Sequence, residues 1–159
     1  MSVDWVHVIM ALDQQYTIQS ARQANERGEL GDWVADFLAS DGSDNAVLGE
    51  QLRDEYPLWF GPVRIGFDRL HRLAGPPDQP TLERLDEDDL ETVESMEESI
   101  DEGWTPPPFV ATWQDDHLML EDGNHRAESV RRSGDDSYWC VVGVDSDHER
   151  RAAQAAIDA

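Results

Sequence analysis

The sequence predicts an α+β fold: a small mixed β-sheet with helices, preceded by an α-helical N-terminal extension. Three observations predict it. Trp33, Val34, Phe37 and Leu38 recur at i, i+1, i+4 and i+5, the stripe of an amphipathic helix. The run YWCVVGV at 138–144 is β-branched and aromatic, the composition of a buried strand. Between them, strand-like and helix-like segments alternate without an internal repeat, as expected for a mixed sheet with helices. The expected organisation is a helical extension over 1–56, a domain over 57–146 and a C-terminal helix or tail over 147–159.

Each element follows from local pattern. Trp5, Val8, Ile9, Leu12, Tyr16 and Ile18 partly follow helical spacing. SDGSDN at 40–45 reads as a turn that caps a third helix through Leu48 and Leu52, closed by Pro57. Val63, Ile65 and Phe67 alternate as in a strand of about five residues. Asp68 to Leu73 reads as a turn or helical stub. GPPDQP at 75–80 is a loop, because its prolines and glycine interrupt both regular structures. Leu90, Val93, Met96, Glu97 and Ile100 then form a helical seam, with Asp86 as N-cap, acids in the first turn and Gly103 as C-cap. PPPFVATWQDDHLMLEDG reads as a hairpin with strands Phe109–Trp113 and Leu118–Leu120 and a turn at 114–116. A helix from Asn124 to about Arg132 ends at Ser133–Gly134. The strand at 138–144 and a terminal helix over 147–156 complete the order.

Composition narrows the function classes. The chain has 159 residues, 35 acidic and 12 basic, and a net charge of −23. Every basic residue is arginine. A surface this negative repels a polyanion, so direct DNA binding is not expected. No apolar run approaches the length of about 18–20 residues that a membrane span requires. The first residues carry Asp4 and no basic stretch, so no signal peptide is expected. Cys140 is the single cysteine, which points to a cytoplasmic protein without internal disulfides. The histidines at 7, 71, 117, 125 and 148 do not form a spaced metal motif.

The segment Asp122-Gly123-Asn124-His125-Arg126 carries chemistry because it joins a strand to a helix. Gly123 permits close approach of a ligand to the backbone. The first amides of the following helix are unpaired and sit at the positive end of its dipole, which makes an anion site. Arg126 is a planar cation suited to phosphate. His125 can donate a hydrogen bond or exchange a proton near neutrality. Asp122 can hold Mg²⁺ between phosphates or accept a proton. Glu128 suits a general base, or equally a surface acid facing Arg131 and Arg132. The same five residues also make an ordinary turn, with Asn124 capping the helix and the charges solvated. Against that stand Arg126, where the dipole would prefer an acid, and the arginines at 131 and 132, which with Arg126 gather a quarter of the chain's cations within 126–132.

TPPPFVATWQDDHLMLEDGNHRAESVRRSG followed by YWCVVGVD resembles the core of the ParB/sulfiredoxin superfamily. VRIGFDRLHRL at 63–73 resembles its first strand and the turn after it. The resemblance covers roughly 57–146 and implies a small mixed-sheet domain that binds a nucleotide, ATP or CTP, with Mg²⁺. It implies phosphates held on Gly123, Asn124, His125 and Arg126, with Arg69 near them. Catalytic roles would fall to Asp122, His125 and Glu128, and the metal to Asp122. The acid–glycine pair before His125 is closest to kinase-type boxes, which implies phosphoryl transfer or NTP hydrolysis. Sulfiredoxins carry a cysteine within the box, where this chain has Asn124, so that activity is not expected. The alternatives are a non-enzymatic acidic module that docks a protein partner on residues 1–56, and a DNA-processing, partition-associated ParB-like nuclease. Arg126→Ala is expected to remove nucleotide affinity with little change in stability.

Overall fold

A computed structural model describes residues 16–40, 46–72, 94, 96, 98–101, 103, 105–122 and 124–158. The elements are α1 (Ile18–Glu26), α2 (Leu30–Ala39), α3 (Ala46–Glu55), β1 (Leu58–Gly66), a 3₁₀ turn (Phe67–Arg69), β2 (Leu70–Arg72), β3 (Phe109–Gln114), β4 (His117–Asp122), α4 (Asn124–Arg132), β5 (Ser137–Val144) and α5 (Asp147–Asp158). The protein is therefore a mixed α+β fold around a five-stranded sheet of order β1-β5-β3-β4-β2. β1 and β5 are antiparallel, β5 and β3 parallel, β3 and β4 antiparallel, and β4 and β2 parallel. Among the described residues no helix is long and apolar enough to cross a membrane.

The helices cover both faces of this sheet. On one face, α1, α2 and α3 set Ala21, Ala24, Leu30, Trp33, Phe37 and Leu52 against Val110 and Val141. Trp33 stacks on Phe37 at 5.3 Å, and its indole donates to Ser20 Oγ, which ties α2 to α1. On the other face, α4 and α5 bring Ala127, Val130 and Ala153 to Phe109, Leu118, Leu120, Cys140 and Val142. Strand alternation explains the division, since neighbours in a strand point to opposite faces. Val141 faces the helices of the N-terminal half, while Cys140 and Val142 face the others.

Several boundaries differ from the sequence expectations. Residues before Tyr16, and Asp86 to Val93, lie outside the described residues. α1 begins at Ile18, because Thr17 caps it: Thr17 Oγ1 accepts from the Ser20 amide and Ser20 Oγ accepts from the Thr17 amide. β1 spans nine residues rather than five. It starts at Leu58 and passes through Gly61–Pro62, a cis bond, where the register shifts between Phe60 and Val63. β1 is an edge strand, where a proline and a bulge are tolerated. Gly61 has φ of +120°, and a Cβ there would meet the Cys140 carbonyl oxygen at 2.7 Å. Phe67 lies in the 3₁₀ turn instead of the strand, and Leu70–Arg72 pairs with β4 as β2. Glu94, Met96 and residues 98–101 are helical, and Gly103, at φ +107°, donates its amide to the Ile100 carbonyl.

The hairpin is as expected, with longer strands. Asp115 and Asp116 both have positive φ, 50° and 63°, as the tight hairpin turn requires. β4 then runs to Asp122, two residues beyond the expected end. That extension carries the strand up to α4 and forms the junction.

Candidate functional site at the β4–α4 junction

β4 ends at Asp122 and α4 starts at Asn124, so Gly123 alone separates strand from helix. α4 is nine residues long and has no acid in its first turn. It closes where the Ser133 amide donates to the Ser129 and Val130 carbonyls, as expected for an end at Ser133–Gly134. Its buried stripe is Arg126, Ala127, Ser129 and Val130. Ala127 and Val130 are the apolar anchors that hold the helix to the sheet. Arg126 belongs to the same inward stripe.

The Arg126 guanidinium meets an acid and an aromatic ring. Its Nη2 donates to Asp122 Oδ2 at 2.9 Å, and its Cζ lies 5.1 Å from the centre of the Phe37 ring. The Arg126 side chain is 9% exposed and that of Asp122 19%. The charge that α4's dipole disfavours in the first turn is thus offset from within, by the carboxylate at the end of β4. Phe37 supplies a π-face from the N-terminal helical layer, so residues of the two halves of the chain meet at this cation.

The field of Arg126 reaches β5. Burial pushes the Cys140 thiol far above its ordinary range, and the nearby Arg126 charge only partly opposes this. Cys140 is fully buried, so it is an uncharged core thiol rather than a nucleophile. Burial likewise raises the Tyr138 hydroxyl, against the opposing pull of Arg126 and Arg64, and that hydroxyl donates to the Pro106 carbonyl at 2.5 Å.

Next to the junction lies a polar cluster that the sequence reading did not single out. Thr112 Oγ1 donates to Glu121 Oε1 at 2.8 Å, and Gln114 Nε2 donates to the same oxygen at 2.9 Å. Burial raises the Glu121 carboxyl above the usual range. The two hydrogen bonds pull it back, and Glu55 adds to the rise. The available signal was alternation: Thr112 and Gln114 share a face of β3, and Thr112 pairs with Met119, two residues before Glu121 on β4.

The predicted site residues fall into three groups. Asp122 and Arg126 are brought into contact. Asn124, His125 and Glu128 are placed on α4 by its backbone, while their side chains, and Gly123 as a whole, lie outside the described residues. Arg69 is placed elsewhere. It immediately precedes Leu70, whose partner is Leu118 at the start of β4. At about 3.3 Å per residue, the length of β4 separates it from the junction by roughly 16 Å. Its Nη1 donates to the Ala156 carbonyl at 2.7 Å, near the end of α5. Among the described residues no three of His, Cys, Asp and Glu converge on one point.

These geometries stand without relatives to compare: no protein family, no curated protein and no solved structure matches the chain.

Proposed function

We propose that the β4–α4 junction binds the phosphates of a nucleotide, ATP or CTP with Mg²⁺, in a ParB/sulfiredoxin-like domain of a cytoplasmic protein. The reaction class is NTP hydrolysis or kinase-like phosphoryl transfer. One observation carries this reading: a sheet strand passes into a nine-residue helix across a single glycine, with Arg126 fixed in the first turn by Asp122 and Phe37. Helix amides at such a point favour anions, and a held guanidinium loses less freedom when it meets one.

In this reading the amides from Gly123 to His125 hold phosphate oxygens. Asp122 positions Arg126 until phosphate competes for the guanidinium, which frees the carboxylate. Mg²⁺ commonly takes one or two carboxylates plus phosphate oxygens, and a single Asp122 satisfies that donor set. Mg²⁺ supplies charge neutralisation of the phosphates. His125 stabilises transferred charge, and Glu128 accepts the acceptor's proton.

The competing interaction-module reading would use the outward sides of the N-terminal helices. Trp33, Phe37 and Leu52 are already packed toward Val110 and Val141, while Val47 of α3 is exposed. A DNA-processing role would need a cationic partner to offset the net charge of −23.

The test is a thermal-shift screen with ATP, ADP, CTP and GTP, each with and without Mg²⁺, at low and high salt. A nucleotide at 100 times its dissociation constant stabilises by about 2.7 kcal/mol. The expected result is a shift with one base, lost in His125→Ala. A flat profile for all four nucleotides at both salt levels would sink the reading.

A further inference from the structure

The imidazoles of His71 and His117 lie together on the sheet face opposite α4 and α5. Their ring centroids are 4.3 Å apart and their planes are inclined by 45°. The fold enforces this pairing. In the β2–β4 ladder Leu70 pairs with Leu118 and His71 with Met119. Leu70 and Leu118 are buried in the core beneath α4 and α5. Side chains alternate along a strand, so His71 and His117, each beside one of those leucines, emerge together on the other face. His117 is exposed and His71 is half-buried. Asp122 is five residues beyond His117, roughly 16 Å along extended chain, so the pair is separate from the junction.

We propose that His71 and His117 bind a late first-row divalent ion, with Zn²⁺ as the probe. Imidazole is the ligand such ions favour over carboxylate or water. Two nitrogens bound at about 2.0–2.1 Å in tetrahedral geometry lie roughly 3.3 Å apart. Rings with centroids 4.3 Å apart are already near that spacing. Among the described residues no group of three His, Cys, Asp and Glu converges, so the ion is assigned to the two imidazoles alone. The net charge of −23 concentrates cations around the whole surface, but its carboxylates are hard ligands that Mg²⁺ also occupies. Selectivity for Zn²⁺ over Mg²⁺ is therefore the signature of the histidine pair.

The experiment is calorimetric titration of the full chain with Zn²⁺ in excess Mg²⁺. One bound equivalent is expected, weakened at least about tenfold in His71→Asn and, independently, in His117→Asn, and unchanged in His148→Asn. The metal-free melting temperature of each variant is read alongside. His117 is exposed, so its substitution leaves the fold intact and keeps the test decisive even where His71→Asn does not. Zinc affinity that survives both substitutions overturns the proposal. So does zinc binding abolished by Mg²⁺, or no zinc binding at all. Nucleotide binding plays no part in the readout.

Discussion

The two faces of the sheet are filled by opposite strategies. On the N-terminal face the helices supply the bulk. Trp33, Phe37, Leu38 and Leu52 come from α2 and α3, and the fully buried strand residues that answer them are two valines, Val110 and Val141, with Trp59 of β1 partly buried beside them. On the other face the strands supply it. Phe60, Ile65, Phe109, Trp113, Leu118 and Leu120 are strand residues, and α4 and α5 contribute Ala127, Val130 and Ala153. A helix that brings small residues can sit close to the sheet, whereas one that brings aromatics stands off from it. Trp59 shows the same economy: its ring lies across Gly143, where a Cβ would approach it to 2.8 Å.

Substitutions sharpen this contrast. Phe37→Ala is expected to have the largest effect, a loss of about 3–5 kcal/mol, because the N-terminal core is built around that ring. It also removes the π-face under Arg126. Val130→Ala, the corresponding helix residue on the other face, is expected to cost about 2 kcal/mol for two methyl groups and a small cavity. Urea denaturation of both variants measures the ratio. Equal losses would mean that the two faces do not differ as their composition indicates.

Arg126→Ala comes next. It leaves Asp122 largely buried without its cation, and a loss of about 3 kcal/mol is expected. Arg53→Ala is the control, since the Arg53–Asp32 pair between α2 and α3 is more than half exposed on both sides and contributes less than about 1 kcal/mol. Melting curves at low and high salt separate the two, because only the exposed pair is screened. The sequence alone suggested that Arg126→Ala would spare stability. The burial of its guanidinium on the inner stripe of α4 reverses that expectation, which is why His125→Ala serves better as the binding test.

The smallest effect is expected at Glu121. Burial raises its carboxyl above the unfolded value, so the protonated form is the one favoured by folding. Its contribution is present below the ordinary glutamate range and is lost as pH rises through the raised folded value. Glu121→Gln removes that loss, and stability at pH 7 should rise by under about 1 kcal/mol, since the group is partly solvated. The gain should shrink to nothing as pH falls below about 4. Denaturation midpoints of parent and variant from pH 4 to 8 check both sign and window.

Much of the fold was legible because some segments carry their whole pattern locally. YWCVVGV, the hairpin around Asp115–Asp116 and the helix ending at Ser133–Gly134 each needed no distant partner to be read. What was not legible depends on partners far along the chain. Leu58 to Phe60 lie outside the strand that the alternation of Val63, Ile65 and Phe67 predicts, and only pairing with β5 joins them to it across a bulge on an edge. Leu70–Arg72 is too short for any period and becomes a strand through β4. At the site, the strand–glycine–helix arrangement could be read, and so could the charge of Arg126 in the first turn. Its orientation could not, because Phe37 lies in another helix and a lone arginine gives no sign of burial. His71 and His117 were visible as histidines, but their proximity is a property of the ladder.

The sheet order also governs how the chain can assemble as it is made. Within the sheet, β1 has one neighbour, β5, and β5 is also what joins it to β3, β4 and β2. Until residues 137–144 leave the ribosome, a nascent chain holds two unjoined groups of strands, with Phe60 and Ile65 on one and Phe109 and Ala111 on the other lacking their shared partner. Such exposed strands invite association with other chains, and the acidic surface of a molecule at −23 keeps them apart during that interval.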